Sequence, residues 1–553
     1  MYSRGGPNPP STCYTVSKTT SEPDCIDMGT AYWYGGSEMR KQYWPINKVN
    51  VPMKAYVSHD TIQDMFGSVV ERYFLSSNGT AITMDEDQPL FASINDNKNN
   101  QICLKSQNVK PYAYPIFKKV SLTYSVCSST DIKAIHDATR SQFKKPTGIP
   151  NPDLFRKPIW STWAQYKADI NQSIVIDFLD TIEKNNFTIG QLEIDDNWTP
   201  KYGDLTFKTS TFPNASIMIA EIHSRNLPVT LWVHPFLNND SEGFKTAKAK
   251  GYLVMNWLGT KPALTNWWNG KDSGVVDFTN PAAANWYLDE LKKLQAIGVD
   301  SFKFDAGETT YLPVTPYRLH NGAGNPDSYT EAYARTVSKI DLKNRIEIRT
   351  GVQTQDLPVM VRQIDKYSTW GYDEGFKTIL TTALTFSIFG YPFVMPDYIG
   401  GNGYNGNLPS SELYIRWVQA NALMPIMQFS YTPWFFKNET VSKITRDMIA
   451  LHESYGDKFV ALARNSTVTG DPIMRPMWWI APNDEEALTT DSQFMLGDDV
   501  LVAPVMDQGV TSRQIYLPSG QWKDELNGQV ISGPRTLDYP VKLEDLPRFT
   551  KID

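Results

Sequence analysis

Ser301-Phe302-Lys303-Phe304-Asp305-Ala306-Gly307-Glu308 is the stretch on which the reading of this chain turns. Alternation along an extended strand sends Ser301, Lys303 and Asp305 to one face and Phe302 and Phe304 to the other. The aromatic face suits packing against helices, so the Lys-Asp face is expected to look into a barrel or cleft. An ammonium two residues from a carboxylate favours the ionised acid at neutral pH. That is the state in which a carboxylate can attack carbon.

Similar strand-like runs occupy residues 158–163, 190–195, 228–235, 345–350, 358–364, 391–396 and 425–430, with helical patterns such as 283–297 and 377–389 between them. With 301–306 they make eight β-then-α units, which predicts a (β/α)8 TIM barrel with insertions over residues 151–465. A doubly wound sheet is the competitor, but no phosphate-binding loop marks a switch point. Residues 1–150 read as an N-terminal β-sandwich, with short runs such as 69–75 and 113–117 between turn-rich stretches. Residues 466–553, with runs at 500–505 and 512–518, read as a smaller C-terminal β-sandwich. The fold class is α/β, a barrel flanked by two β domains.

At 553 residues a division into two or three domains is expected. The net charge is −7 and the basic residues form no Lys/Arg block, so no nucleic-acid footprint is visible and membrane-surface binding lacks support. No apolar run reaches transmembrane length, and Met1–Gly6 carries no signal-peptide core. Cysteines at 13, 25, 103 and 127 admit three connectivities; local pairing, Cys13–Cys25 and Cys103–Cys127, is the expectation. With Asn-x-Ser/Thr sequons at Asn78, Asn171, Asn186, Asn197, Asn214, Asn239, Asn438 and Asn465, the cysteines point to a glycoprotein of a secretory or lumenal setting. An export signal or anchor is expected to have been lost from the chain. The six histidines include no close ligand pair, so neither a metal nor a cofactor is expected. Sixteen tryptophans are many for a soluble enzyme and suit surfaces that stack on sugars, although cores must account for most of them.

In a TIM barrel, chemistry sits at the C-terminal ends of strands. The acids there are Asp195, Asp196, Asp305, Asp365 and Asp397. Arg349 ends another strand and would supply a fixed cation. Trp160, Trp163, Trp232, Trp267 and Trp268 lie at or just beyond strand ends. Carboxylates facing one another with aromatic rings nearby are what glycoside hydrolysis uses. A single strand-end Asp can equally cap the next helix; agreement among four strands favours the chemical reading. Asp498-Asp499 reads as a turn, and His234 as either a sugar contact or a wall residue. Gly401-Asn402-Gly403-Tyr404-Asn405-Gly406 matches a dinucleotide string, but Asn407-Leu408-Pro409 intervenes before any helix, which makes it an active-site loop instead.

Lys303-Phe304-Asp305-Ala306-Gly307-Glu308 resembles the nucleophile strand of glycoside hydrolase family 31. Other segments follow that family's pattern in order: residues 203–207 with Phe212-Pro213, then 231–236, 277–281, and 392–394 with Asp397 and Gly400-Gly401. Segments 31–36, 158–163, 412–417 and 472–476 are most similar to an α-galactosidase-type branch. The resemblance covers residues 158 to 553 and implies a retaining exo-α-glycosidase acting on an α-linked galactoside or glycan, with Asp305 as nucleophile; α-glucosidase activity and a silent carbohydrate-binding homologue are the alternatives. A homodimer is admitted as an assembly. The family's Trp-x-Gly-Asp motif for the acid/base is absent, and Asp365 and Asp373 compete for the role. Spacing back from Gly390 matches the sulfoquinovosidase branch at Asp365, with Trp370 in place, and Asp373 reads as a helix N-cap, so Asp365 is preferred. Asp365 is then expected to have a raised pKa, with Lys303 and Arg349 keeping Asp305 anionic. Asp195 and Asp196 can each accept from two sugar hydroxyls, and the resemblance implies that at least one binds the far edge of the ring, with Trp160, Trp163, Trp232, Trp268 and Trp370 as further contacts; Asp397 is equally open to a structural role. Retention predicts the Asp305 and Asp365 carboxyls about 5–5.5 Å apart.

Overall fold

The computed structural model describes residues 10–19, 21–61, 66–340 and 343–553. Met1–Gly6 lies outside the described residues.

Eight parallel strands form the central sheet: β1 (Ile159–Ser161), β2 (Gln191–Ile194), β3 (Val229–Val233), β4 (Ser301–Phe304), β5 (Glu347–Ile348), β6 (Met360–Arg362), β7 (Val394–Met395) and β8 (Gln428–Phe429). Neighbours pair in chain order, and β8 returns to pair with β1. Between β7 and β8 the ring is joined just past the strand end, where Ile399 N–H donates to Gln428 O at 2.9 Å. The barrel is therefore nearly closed, and each of its eight predicted strands is present, shorter than its sequence run.

Helices cover the outside. Pro281–Ala296 begins with Asn280 accepting from Ala282 N–H and Pro281 in its first turn, the placement proline tolerates best. It buries Ala283, Tyr287, Leu288, Leu291 and Leu294, the stripe a 3.6-residue period dictates. Lys377–Ile388 is buried all round, because the N-terminal domain covers its second face, as where Thr381 Oγ1 donates to Gln42 O at 2.8 Å.

The N-terminal β region has two antiparallel sheets. In spatial order one runs Thr12–Lys18, Leu122–Ser128, Thr80–Met84, Phe66–Ser76 and Trp33–Met39; the other runs Asp24–Asp27, Gln101–Ser106, Leu90–Ile94 and Val51–Ala55. Residues 113–117, expected as a strand, form turn and loop instead; Ala113 N–H makes one bond to Gly324 O, and Pro115, with no N–H to donate, does not extend it into a ladder. The disulfides are Cys13–Cys127 and Cys25–Cys103, not the local pairs. Each joins directly opposed residues on neighbouring strands, a proximity set by sheet register and invisible in linear spacing. Toward the C-terminus, Ser512–Asp524 and Val530–Pro540 form a long hairpin in a six-stranded antiparallel sheet, and Gly497 to Asp499 make a turn as expected.

The N-terminal domain sits on the loops that leave β4, β5 and β6. Ser68 Oγ donates to Glu308 Oε1 at 2.7 Å, Val70 N–H to Gly351 O at 2.9 Å, and Ile364 N–H to Glu38 Oε1 at 2.8 Å. These contacts bring residues from two domains to one mouth.

Candidate active site

Asp305 leaves β4 with its N–H still donating to Val233 O at 2.9 Å, after which the chain turns sharply at Ala306 (φ 57°) and Gly307 (φ 105°). A left-handed alanine is uncommon, and here it aims its own N–H at Asp305 Oδ1, 3.0 Å away. A Cβ on Gly307 would meet the Tyr333 ring at 2.5 Å. That ring is held in place, its hydroxyl donating to Asp305 O at 2.9 Å.

Three cationic or donor groups then converge on the carboxylate. Trp232 Nε1 donates to Oδ2 at 2.8 Å, while Arg362 Nη2 lies 3.2 Å and Arg349 Nε 3.3 Å from Oδ1. Burial alone would push the Asp305 carboxyl up, but Arg349 and Arg362 outweigh it and hold it well below the usual range. Lys303 acts only at longer range. Its ammonium donates to Asp195 Oδ2 at 2.8 Å and to the Tyr398 hydroxyl at 2.6 Å. Lys303 and Arg349 both help to keep Asp305 anionic, as expected, but Lys303 does so from one step deeper in the barrel, because two residues of rise separate it from Asp305 on the same strand face, and Arg362 is an additional direct partner.

Arg362 is 2% exposed and touches four carboxylates. Nη1 lies 2.9 Å from Asp365 Oδ1 and 3.3 Å from Asp397 Oδ1, Nη2 reaches Asp305, and Nε is 3.0 Å from Glu347 Oε1. Asp397 itself is fully buried, accepting from Lys366 N–H and Asn402 Nδ2, each at 2.7 Å. It braces the arginine from behind.

Asp365 also accepts a hydrogen bond from the Tyr404 hydroxyl. Burial pushes its carboxyl up, but Arg362 and then Arg349 pull it below the ordinary value, while the nearby Asp305 charge opposes them. The expected rise does not occur in the free site, because the guanidiniums lie closer than sequence spacing could reveal. Asp373 points away. Its side chain is 53% exposed, Arg40 Nε sits 2.6 Å from it, and it caps nothing: the helix that follows begins at Lys377 with no side-chain cap.

A cavity of about 270 Å³ opens over these groups, lined by Asp305, Asp365, Asp195, Asp196, Arg349, Trp163, Trp232, Trp268, Tyr404, Ile364, Tyr367 and Glu374, together with Asp60 and Thr61 of the N-terminal domain. Asp195 is buried, and that burial pushes it up to about 7 against the pull of Lys303. Asp196, likewise raised by burial, accepts from the Tyr202 hydroxyl at 2.7 Å and Asn269 Nδ2 at 2.9 Å. Trp163 Nε1 donates to the Tyr404 hydroxyl at 3.1 Å, and Trp268 lies over the Arg349 guanidinium, 5.5 Å from its ring centre.

Of the residues expected to contact a sugar, Trp160, Lys303 and Trp370 do not line the cavity. Trp160 is fully buried, stacked on Phe429 at 4.6 Å and near Trp434; it occupies the outward-facing position of β1 and so belongs to the helix-facing core. Trp370 packs on Phe376 at 5.8 Å. His234 is a wall residue: burial pushes it down to about 3, and its Nδ1 accepts from Phe236 N–H at 3.2 Å. Sequence reasoning missed Arg362, Tyr404, Asp60, Thr61 and Glu374 as site residues. The first stands three residues before Asp365, and the second lies inside the Gly401–Gly406 loop. Nothing local marks Asp60 or Glu374, which meet only through domain packing. Glu374 is pushed by burial up to about 8. Among the described residues no group of three or more His, Cys, Asp or Glu is arranged to hold a metal ion.

Comparison with known proteins agrees with this geometry. Residues 157–455 match the glycosyl hydrolases family 31 TIM-barrel domain, 470–553 the glycosyl hydrolase family 31 C-terminal domain, and 24–113 the myogenesis-regulating glycosidase N-terminal domain. The myogenesis-regulating glycosidase of Mus musculus is 38% identical over 538 residues, covering 94% of this chain and 74% of the mouse protein. The SITS-binding protein of Tetronarce californica is 31% identical, covering 98% of this chain and 78% of its own. A family 31 α-xylosidase from a soil metagenome, solved with xylose, superposes with a TM-score of 0.79 at 21% identity over 96% of this chain and 79% of its own. The two family domains together with these relatives establish that the chain belongs to glycosyl hydrolase family 31.

Proposed function

We propose that this glycosidase is a retaining exo-α-galactosidase working by double displacement. Asp305 attacks the anomeric carbon as Asp365 delivers its proton to the departing oxygen. In the second step Asp365 takes a proton from water, which displaces Asp305 from the sugar. The observation that carries the reading is the single Arg362 guanidinium whose two terminal nitrogens contact Asp305 and Asp365. Carboxyls sharing one fork favour the ~5–5.5 Å spacing of retaining enzymes over the ~6.5–9.5 Å of inverting ones. The small cavity favours cleavage of a terminal ring.

In the free site Arg362 and Arg349 hold Asp365 down, so the acid form must be gained as substrate binds. Once Asp305 is esterified its charge no longer raises Asp365, which leaves Asp365 deprotonated and ready to activate water. Asp195 and Asp196 supply acceptors for hydroxyls at the far edge of the ring. Similarity to the α-galactosidase-type branch supports galactose; α-glucosidase activity is the alternative, differing in one hydroxyl's orientation. The paired cysteines support a lumenal or extracellular setting.

Hydrolysis of matched aryl α-galactoside and α-glucoside substrates, with Asp305→Asn as control and the first-formed anomer read by NMR, tests each part. Galactoside turnover giving the α-anomer, lost in Asp305→Asn, is expected. Turnover of the glucoside alone overturns the sugar, and a β-anomer overturns the mechanism.

A further inference from the structure

Three loops near the barrel mouth carry an apolar face that none of the described residues covers. Ile116 is 99% exposed, Phe117 88%, Leu258 75%, Val314 71% and Trp257 54%. Their neighbourhood follows from two adjoining clefts of about 940 and 580 Å³. Phe117 and Trp257 line the first, Trp257 and Val314 the second, and Pro111 and Tyr317 both. A soluble protein seldom leaves such a surface to water without a partner.

The loops are held firmly. Lys110 Nζ donates to Val314 O at 2.5 Å, Ala113 N–H to Gly324 O at 2.9 Å, and Trp257 N–H to Pro316 O at 3.1 Å. Trp257 and Leu258 belong to the loop after β3, and Val314 to the loop after β4, so the face lies at the same end of the barrel as the catalytic pocket. His59, Thr309 and Thr310 line the second cleft and Asp60 lines the pocket, and the two segments are joined where Asp60 N–H donates to Thr310 Oγ1 at 2.8 Å.

The rim is basic on a chain of net charge −7. Exposed Lys110 and Arg318 line the clefts, exposed Lys119 stands two residues beyond Phe117, the backbone carbonyl of exposed Lys261 accepts from Asn256 N–H beside Trp257, and Lys118 is paired with exposed Asp87. Among the described residues the one acid lining either cleft is Asp277, which is buried and accepts from Thr279 and from His320 N–H. These cations are dispersed in sequence and meet only in space. A two-fold pairing of this face with itself would set like charge against like. An anionic surface complements them, and aromatic and aliphatic tips above a basic rim match a bilayer's interfacial layer.

We propose that this face docks the barrel mouth on a lipid bilayer bearing anionic headgroups, presenting the pocket to α-glycosides carried on that surface. The substrate clause rests on the function proposed above; the docking does not.

The test is flotation of the full chain with vesicles of phosphatidylcholine alone and of phosphatidylcholine with phosphatidylserine, at low and physiological (about 0.15 M) salt. Molar mass is read by light scattering, and hydrolysis of a soluble aryl α-galactoside serves as a control of folding. Flotation with the anionic vesicles is expected, weakened by salt. Replacing Ile116 and Phe117 by Ser, or Trp257 and Leu258 by Ser, should cut vesicle affinity by roughly tenfold or more per pair while soluble hydrolysis is unchanged. A wild type that stays unbound, bound fractions equal in wild type and both variants, or a dimer that the same substitutions dissociate would each overturn the docking. Vesicle binding without any glycoside turnover would uphold the docking and count against the catalytic reading alone.

Discussion

Replacing Tyr404 by Phe should move one limb of the pH profile and leave the rest of the catalytic machinery in place. The Tyr404 hydroxyl donates to the carboxyl of Asp365, favouring its anion. A hydrogen bond to a charged group is worth about 1.5–3 kcal/mol, and one pKa unit corresponds to about 1.4 kcal/mol. The Asp365 side chain is 34% exposed, so solvent screening trims the effect toward the lower end, about one unit. The sign follows from the role: with substrate bound Asp365 must hold a proton to release a poor leaving group, so kcat falls as pH rises through its pKa in the complex. Loss of the donor raises that pKa and carries the falling limb upward by about one pH unit. The assay is kcat against pH for an α-linked disaccharide in wild type and Tyr404→Phe, with a nitrophenyl glycoside as the substrate that needs little acid help. A limb at the same pH in both proteins would show that Asp365 is not the titrating acid.

Other outcomes are as definite. Arg362→Met leaves three buried carboxylates and the part-exposed Asp365 without their shared partner; breaking buried pairs costs about 3–5 kcal/mol, so thermal scanning should show a large loss of stability, whereas Arg362→Lys should fold yet lose kcat more than KM rises. Asp365→Asn should abolish disaccharide cleavage while sparing part of the first step on nitrophenyl glycosides, seen as a burst; equal loss on both substrates would count against the acid role. Peptide mapping without reduction should recover Cys13 linked to Cys127 and Cys25 to Cys103, and Cys13→Ala with Cys127→Ala should lower the stability of the N-terminal domain by about 2–5 kcal/mol.

The barrel was legible because its signals are local. Each strand carries its own apolar run, and an acid ending a strand is visible without knowing what faces it. Asp195, Asp196, Asp305 and Asp365 do line one cavity. Trp160 was misplaced because a strand alternates, and a tryptophan near a strand end points outward as readily as inward. Arg349 is legible as a partner of Asp305 because it ends a strand, whereas Arg362, the second direct partner, is not, since it stands inside β6 with nothing local to show which way it points. Asp60, Thr61 and Glu374 left no trace because their neighbourhood depends on how one domain settles on another. The cysteine pairing depends on strand register across 114 and 78 residues, a quantity linear spacing does not hold.

A pocket walled by two domains also sets a timetable for the newborn chain. Asp60 and the arginine it faces, Arg349, are separated by 289 positions. At synthesis rates of roughly 5–20 residues per second, the first waits about 15–60 seconds for the second to appear. During that interval Glu38, buried completely in the finished molecule and pushed up to about 7, has neither the backbone of Ile364 nor the charge of Lys366 beside it. Whatever part of the N-terminal sheets has formed by then carries an unfinished polar underside. A helper that shields that underside until residue 366 has emerged would raise the yield of active enzyme without touching its chemistry.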